Sequence, residues 1–103
     1  MLKVVLIEDN AEAAETLLEY LQRYASKNGI SLSSARFRNA FDFLEAYAYD
    51  ADVLFFDIEM PGMNGMEAAK KVREKDTKAM IVFTTNLAQY AIEGYSVNAF
   101  DYI

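Results

Sequence analysis

Three uninterrupted apolar runs, at residues 4–7 (VVLI), 53–56 (VLFF) and 81–83 (IVF), constrain this 103-residue chain more than any other feature. A strand with one face in water alternates apolar and polar residues. A run that is apolar at every position is covered on both faces, as in a parallel sheet between layers of helix. Longer stretches with helical spacing separate the runs, and parallel strands need such crossovers. The alternation is the βαβα pattern of an α/β domain, and the length suits one domain over residues 1–103.

Val4 to Ile7 reads as a buried strand. Asn10 then caps a helix in which Ala14, Leu17, Leu18, Leu21 and Ala25 recur at i, i+3, i+4, i+7 and i+11, and Gly29 marks its stop. Ser31 to Arg38 is more polar and reads as an edge strand. Asn39 to Ala48 is a short helix expected to bury Phe41, Leu44 and Ala48. Val53 to Asp57 is the third strand, at the sheet centre. Asn64 with Glu67 forms a capping-box pattern, opening a helix that turns Met66, Ala69 and Val72 inward. Met80 to Thr85 is the fourth strand. Asn86 with Gln89 caps a helix through Ala91 and Ile92 that closes at Gly94, and Ala99 to Ile103 is a fifth strand. Asparagine thus opens four helices, each side-chain oxygen satisfying orphan N–H groups for about 1 kcal/mol.

Composition narrows the chemistry. With no cysteine and no histidine, disulfides, thiolate nucleophiles, imidazole bases and most transition-metal sites are excluded. Carboxylates, hydroxyls, lysine and backbone remain. A net charge of −6, with ten basic residues and no long cluster of them, argues against direct binding of nucleic acid or an anionic membrane. The opening MLKVVLIEDN has four consecutive apolar residues after Lys3, too few for a signal-peptide core or a membrane span. A soluble, cytoplasmic protein with no membrane contact is expected.

Acids and hydroxyls collect where the apolar runs end: Glu8 and Asp9 after the first, Asp57 after the third strand, Thr85 after the fourth. In a parallel sheet all these endings lie on one edge, where ligands bind. A strand order of 2-1-3-4-5 makes the first and third strands neighbours and brings Glu8, Asp9 and Asp57 into one crevice. At about 4 Å a pair of like charges costs roughly 4 kcal/mol at an effective dielectric of about 20, enough to raise a pKa or to demand a cation. Donors that are all oxygen suit Mg²⁺ or Mn²⁺. Singly, each feature has a plainer explanation: acids favour helix N-termini, strand-end Asp is common in turns, and Thr85–Asn86 terminates a strand and caps a helix.

Four stretches, VVLIEDN, VLFFDIEMPGMNGMEAAKKVRE, IVFTTN and AIEGYSVNAFDYI, together resemble the receiver domain of two-component response regulators. The last is similar to receivers attached to LytTR-type DNA-binding domains. The resemblance implies a flavodoxin-like, doubly wound five-stranded sheet. It implies that Asp57 accepts a phosphoryl group from the phosphohistidine of a sensor histidine kinase. It also implies that Glu8, Asp9, Asp57 and the backbone carbonyl of Glu59 hold Mg²⁺. On the same resemblance Thr85 and the Asn86 N–H bind the phosphoryl group, Tyr102 is an aromatic switch coupled to Thr85, and regulation reaches DNA only through an appended output domain.

Receivers carry a lysine shortly after the fifth strand, followed by a fifth helix. The sequence stops at Ile103, before both, and no other lysine matches that place. The expectation is a shortened form of a longer regulator, prone to form a homodimer through the fourth-helix and fifth-strand face, where Tyr90, Tyr95 and Phe100 lie, or by segment exchange. Two other readings compete. One is a pseudo-receiver acting as an interaction module without phosphorylation. The other is a Toprim-like nucleotidyl-transfer enzyme, suggested by Glu8 and the Asp57-x-Glu59 pair but lacking its glycine and basic surface.

Overall fold

The computed structural model describes residues 1–84 and the backbone of residues 99–102. In chain order come β1 (Leu2–Ile7), α1 (Ala11–Lys27), β2 (Leu32–Phe37), α2 (Ala40–Ala46), β3 (Val53–Phe56), α3 (Gly65–Arg73), β4 (Met80–Phe83) and β5 (Ala99–Tyr102). Every strand pairing is parallel. The order β2-β1-β3-β4, extended by the β5 backbone against β4, is that of a flavodoxin-like α/β sheet. The apolar runs occupy the middle of this sheet, and the polar Leu32–Phe37 segment forms its edge. The fourth helix expected from Asn86 to Gly94 lies outside the described residues.

Alternate residues of the central strands serve two separate cores. Val5, Ile7, Leu54, Phe56, Ile81 and Phe83 face α2 and α3, packing with Phe43, Met66, Ala69 and Val72. Val4, Leu6, Phe55 and Val82 face the other way, onto Ala14 and the partly buried Leu17, Leu18 and Leu21 of α1. The stripes read from the spacing of α1 and α3 are those that turn inward. Both helices start as expected: the Asn10 side chain accepts the Ala13 N–H at 2.9 Å, and Asn64 forms a full capping box with Glu67. Gly29 follows the end of α1 with φ +67°, a left-handed conformation that favours glycine. Among the described residues no helix is long and apolar enough to cross a membrane.

In α2 the buried face differs from the expected one. Asn39 caps it, accepting the Asp42 N–H at 2.8 Å, but Phe41 is 57% exposed and Ala48 is exposed beyond the helix end. Ala40, Phe43, Leu44 and Tyr47 turn inward instead, a stripe at i, i+3, i+4 and i+7. Phe43 has an aromatic ring on three sides: stacked on Tyr47 at 4.7 Å, edge-on to Phe56 at 5.5 Å and edge-on to Phe37 at 5.6 Å. Those partners lie on β2, on β3 and just beyond α2 itself. The aromatic geometry, worth up to about 1.5 kcal/mol per pair beyond burial, therefore favours Phe43 as the inward ring.

The β3–α3 connection is held from below. Ile58 and Met60 are buried, and the Ile58 carbonyl accepts from the N–H groups of Met60 and Gly65, both at 3.1 Å. Pro61 and Gly62 turn the chain sharply, with Gly62 at φ +78°. Gly65 is required by space rather than by conformation. An added Cβ there would stand 2.3 Å from the Asp57 carbonyl oxygen and 3.1 Å from Ile58 Cα, so only glycine lets α3 start this close to the end of β3.

Three substitutions test this packing by urea denaturation. Phe43→Ala is expected to lower the unfolding free energy by about 3–5 kcal/mol, whereas Phe41→Ala, at an exposed ring, should change it by less than about 1 kcal/mol. Gly65→Ala should destabilise by about 1–3 kcal/mol, the cost of forcing extra volume into a filled space.

Candidate metal and phosphoacceptor site

Register brings the acids together. Ile7 lies opposite Phe56 and Phe56 opposite Phe83, so Glu8, Asp57 and Thr84 leave the sheet in one row. Backbone bonds carry the ladder one residue past each strand: Glu8 N–H to the Phe37 carbonyl at 3.1 Å, Asp57 N–H to Ile7 at 2.9 Å, Thr84 N–H to Phe56 at 2.9 Å. Glu8 and Asp57 follow two residues after Leu6 and Phe55, which both pack on the α1 side. Strand alternation therefore sets the two carboxylates on the same side. One carboxylate oxygen each from Glu8, Asp9 and Asp57 lies within 4.8 Å of the others.

The electrostatics follow from this crowding. Glu8 is partly buried, and that burial, reinforced by its hydrogen bond to Asp57, lifts its pKa from 4.5 to about 8. The Asn10 N–H, donating to Glu8 Oε2 at 3.3 Å, pulls weakly the other way. Asp57 is raised too, first by burial, while the Glu8 hydrogen bond and the Glu59 N–H, which donates to Asp57 Oδ1 at 3.1 Å, hold it down. Both shifts favour a proton held within this pair when no cation is present. The Glu59 amide, on Oδ1, also orients the Asp57 carboxylate.

Three clustered carboxylates with no nitrogen or sulfur donor fit a hard divalent cation, which relieves their repulsion and takes the place of the shared proton. Mg²⁺ keeps several waters, so a few protein oxygens suffice. Of the residues the sequence nominated, the structure gathers Glu8, Asp9 and Asp57, and it places Glu59 exposed with its N–H on Asp57. Thr85 and Asn86 lie outside the described residues. The neighbouring Thr84 ends the β4 row, its hydroxyl donating to the Phe56 carbonyl at 3.3 Å. Tyr102 has its backbone on β5 opposite Phe83, and its side chain lies outside the description.

Sequence reading passed over Arg36. From β2 its guanidinium donates to the carbonyl of Glu8 through Nε at 3.1 Å and Nη2 at 2.9 Å, and to the carbonyl of Asp9 through Nη2 at 3.2 Å. An isolated arginine in an edge strand, 28 residues from its partner, carries no local signal.

Comparison with known proteins places this geometry. Residues 4–103 match the response regulator receiver domain family. The chain is 36% identical over 103 residues to the sensory transduction protein LytT of Oceanobacillus iheyensis, an alignment covering 97% of the chain and 40% of LytT. It therefore spans about two-fifths of the length of that relative. Among solved structures it is similar to the response regulator TrrA of Thermotoga maritima in complex with Mg(2+)-BeF, at 25% identity and a TM-score of 0.82, covering the whole of this chain and 85% of that one. The same regulator in complex with the histidine kinase ThkA matches at 27% identity and a TM-score of 0.74, over all of this chain and 84% of that one. With its parallel sheet, its acids at the strand ends and a family match over almost its full length, the chain belongs to the response regulator receiver domain family.

Proposed function

We propose that this chain is the phosphoacceptor switch of a two-component phosphorelay, with Asp57 as the nucleophile. The observation that carries the reading is the meeting of Glu8, Asp9 and Asp57 within 4.8 Å at the ends of β1 and β3. The three carboxylates and the Glu59 carbonyl are the proposed protein ligands of Mg²⁺. Bound there, Mg²⁺ would neutralise charge on the phosphoryl oxygens. The rest falls to the chain. Glu8 gives up its proton when the cation binds, and the Glu59 N–H, donating to Asp57 Oδ1, orients the attacking carboxylate. An Asp57 oxygen bonds to phosphorus as the P–N bond of a phosphohistidine breaks, the ring nitrogen leaving with the electron pair. Thr85 and the Asn86 N–H are assigned to the arriving phosphoryl group, and Tyr102 to the coupled switch on β5.

A sensor histidine kinase is the proposed donor, a reading supported by the similarity to a regulator solved with its kinase. Output through an appended DNA-binding domain is proposed from the resemblance of AIEGYSVNAFDYI to receivers attached to LytTR-type domains, and the chain covers only two-fifths of LytT.

Incubation with acetyl phosphate and Mg²⁺ is expected to add one phosphoryl mass by intact mass spectrometry, falling to background in Asp57→Asn. An unmodified parent chain that still binds Mg²⁺ would favour the pseudo-receiver instead.

Two pH dependences follow from Glu8. A proton must leave before the carboxylate can bind metal, so Mg²⁺ affinity should rise with pH up to about 8, by up to about tenfold per unit, as calorimetry can measure. Without metal, the folded state binds the Glu8 proton more tightly than the unfolded state, whose value is 4.5, so the stability due to that proton is lost as pH rises from there toward 8. Glu8→Gln removes this loss, and its Tm advantage over the parent should grow between those limits.

A further inference from the structure

The three carboxylates stand at the rim of the sheet on two different loops, and the main chain under Glu8 and Asp9 is held by something other than the ladder. β2 ends at Phe37, whose carbonyl takes the Glu8 N–H. Past that point the carbonyls of Glu8 and Asp9 are engaged by one side chain, Arg36, which stands opposite Leu6 in the parallel register. Its Nε and Nη2 close on the Glu8 carbonyl, and Nη2 reaches on to the next carbonyl along. Two successive peptide planes are thereby fixed by one flat, rigid donor.

The choice of acceptor matters. A cation beside three acids would be expected to pair with carboxylates, as Lys3 does with Asp50 and Arg23 with Glu19. The bonds of Arg36 go to carbonyl oxygens. Arg36 therefore holds the main chain without occupying a carboxylate oxygen of Glu8, Asp9 or Asp57. A lysine has the charge but not the planar fork that spans two carbonyls.

We propose that Arg36 is a positioning residue for the metal site, locking the Glu8–Asp9 backbone so that both carboxylates face Asp57 before any cation arrives. The proposal rests on the metal reading above and adds to it a residue from the edge strand. Partners that orient ligands in this way typically account for about 10–100-fold in metal affinity.

Mg²⁺ titration by calorimetry on the parent chain, Arg36→Ala, Arg36→Lys and Arg38→Ala tests it. Arg38 is exposed on the same rim, so its removal deletes an equal charge without touching these carbonyls. Arg36→Ala should weaken Mg²⁺ binding by about tenfold or more, Arg36→Lys should recover part of the loss, and Arg38→Ala should bind as the parent does. In the metal-free proteins, amide hydrogen exchange should accelerate at Asn10, whose N–H rests on Glu8, in Arg36→Ala alone. Unchanged or tighter binding in Arg36→Ala, full recovery in Arg36→Lys, or an equal loss in Arg38→Ala overturns the positioning role and leaves the metal site standing. A parent chain that binds no Mg²⁺, or binds it undiminished after Asp9→Asn, overturns the metal reading and this proposal together.

Discussion

Repulsion among carboxylates is the constraint to which the rest of the molecule answers. Parallel pairing with Ile7 opposite Phe56 delivers Glu8 and Asp57 to the same point, and nothing in a covered sheet allows them to move apart. The strands beneath are sealed on both faces by buried Val, Leu, Ile and Phe, so the register cannot slip without turning those residues to the opposite layer. The result is a rigid platform bearing an electrostatic conflict, expressed in the raised pKa values of Glu8 and Asp57. A fold that is stiff below and strained in charge above is suited to chemistry governed by positioning and charge neutralisation, as phosphoryl transfer is.

Much of this was legible in the sequence, because the signals are local and repeated. Unbroken apolar runs give parallel strands, asparagines give helix starts, and the parallel arrangement then forces every strand-end acid onto one edge. From those steps Glu8, Asp9 and Asp57 could be grouped before any coordinates. Legibility failed where one pattern fits two faces. In α2 the spacing i, i+3, i+7 is met by Phe41, Leu44 and Ala48 and equally by Ala40, Phe43 and Tyr47. The choice is made by Phe37 and Phe56, which lie on other elements.

Gly65 and Arg36 show two further limits. A glycine in sequence states that a Cβ is unwelcome but not whether conformation or space forbids it. At Gly65 it is space. Arg36 reaches its partners across the sheet, and its role exists only once β2 lies beside β1. Contacts of this kind depend on register rather than composition, so no window along the chain contains them.

The absent side chain at Gly65 also has a mechanical meaning. The first turn of α3 rests directly on the peptide group of Asp57, with no compressible layer between the two. A shift of that peptide cannot be absorbed by a side chain changing rotamer; the helix must travel with it, or resist it. The underside of the acidic rim thus abuts a nine-residue helix with no side chain between the two to serve as a cushion.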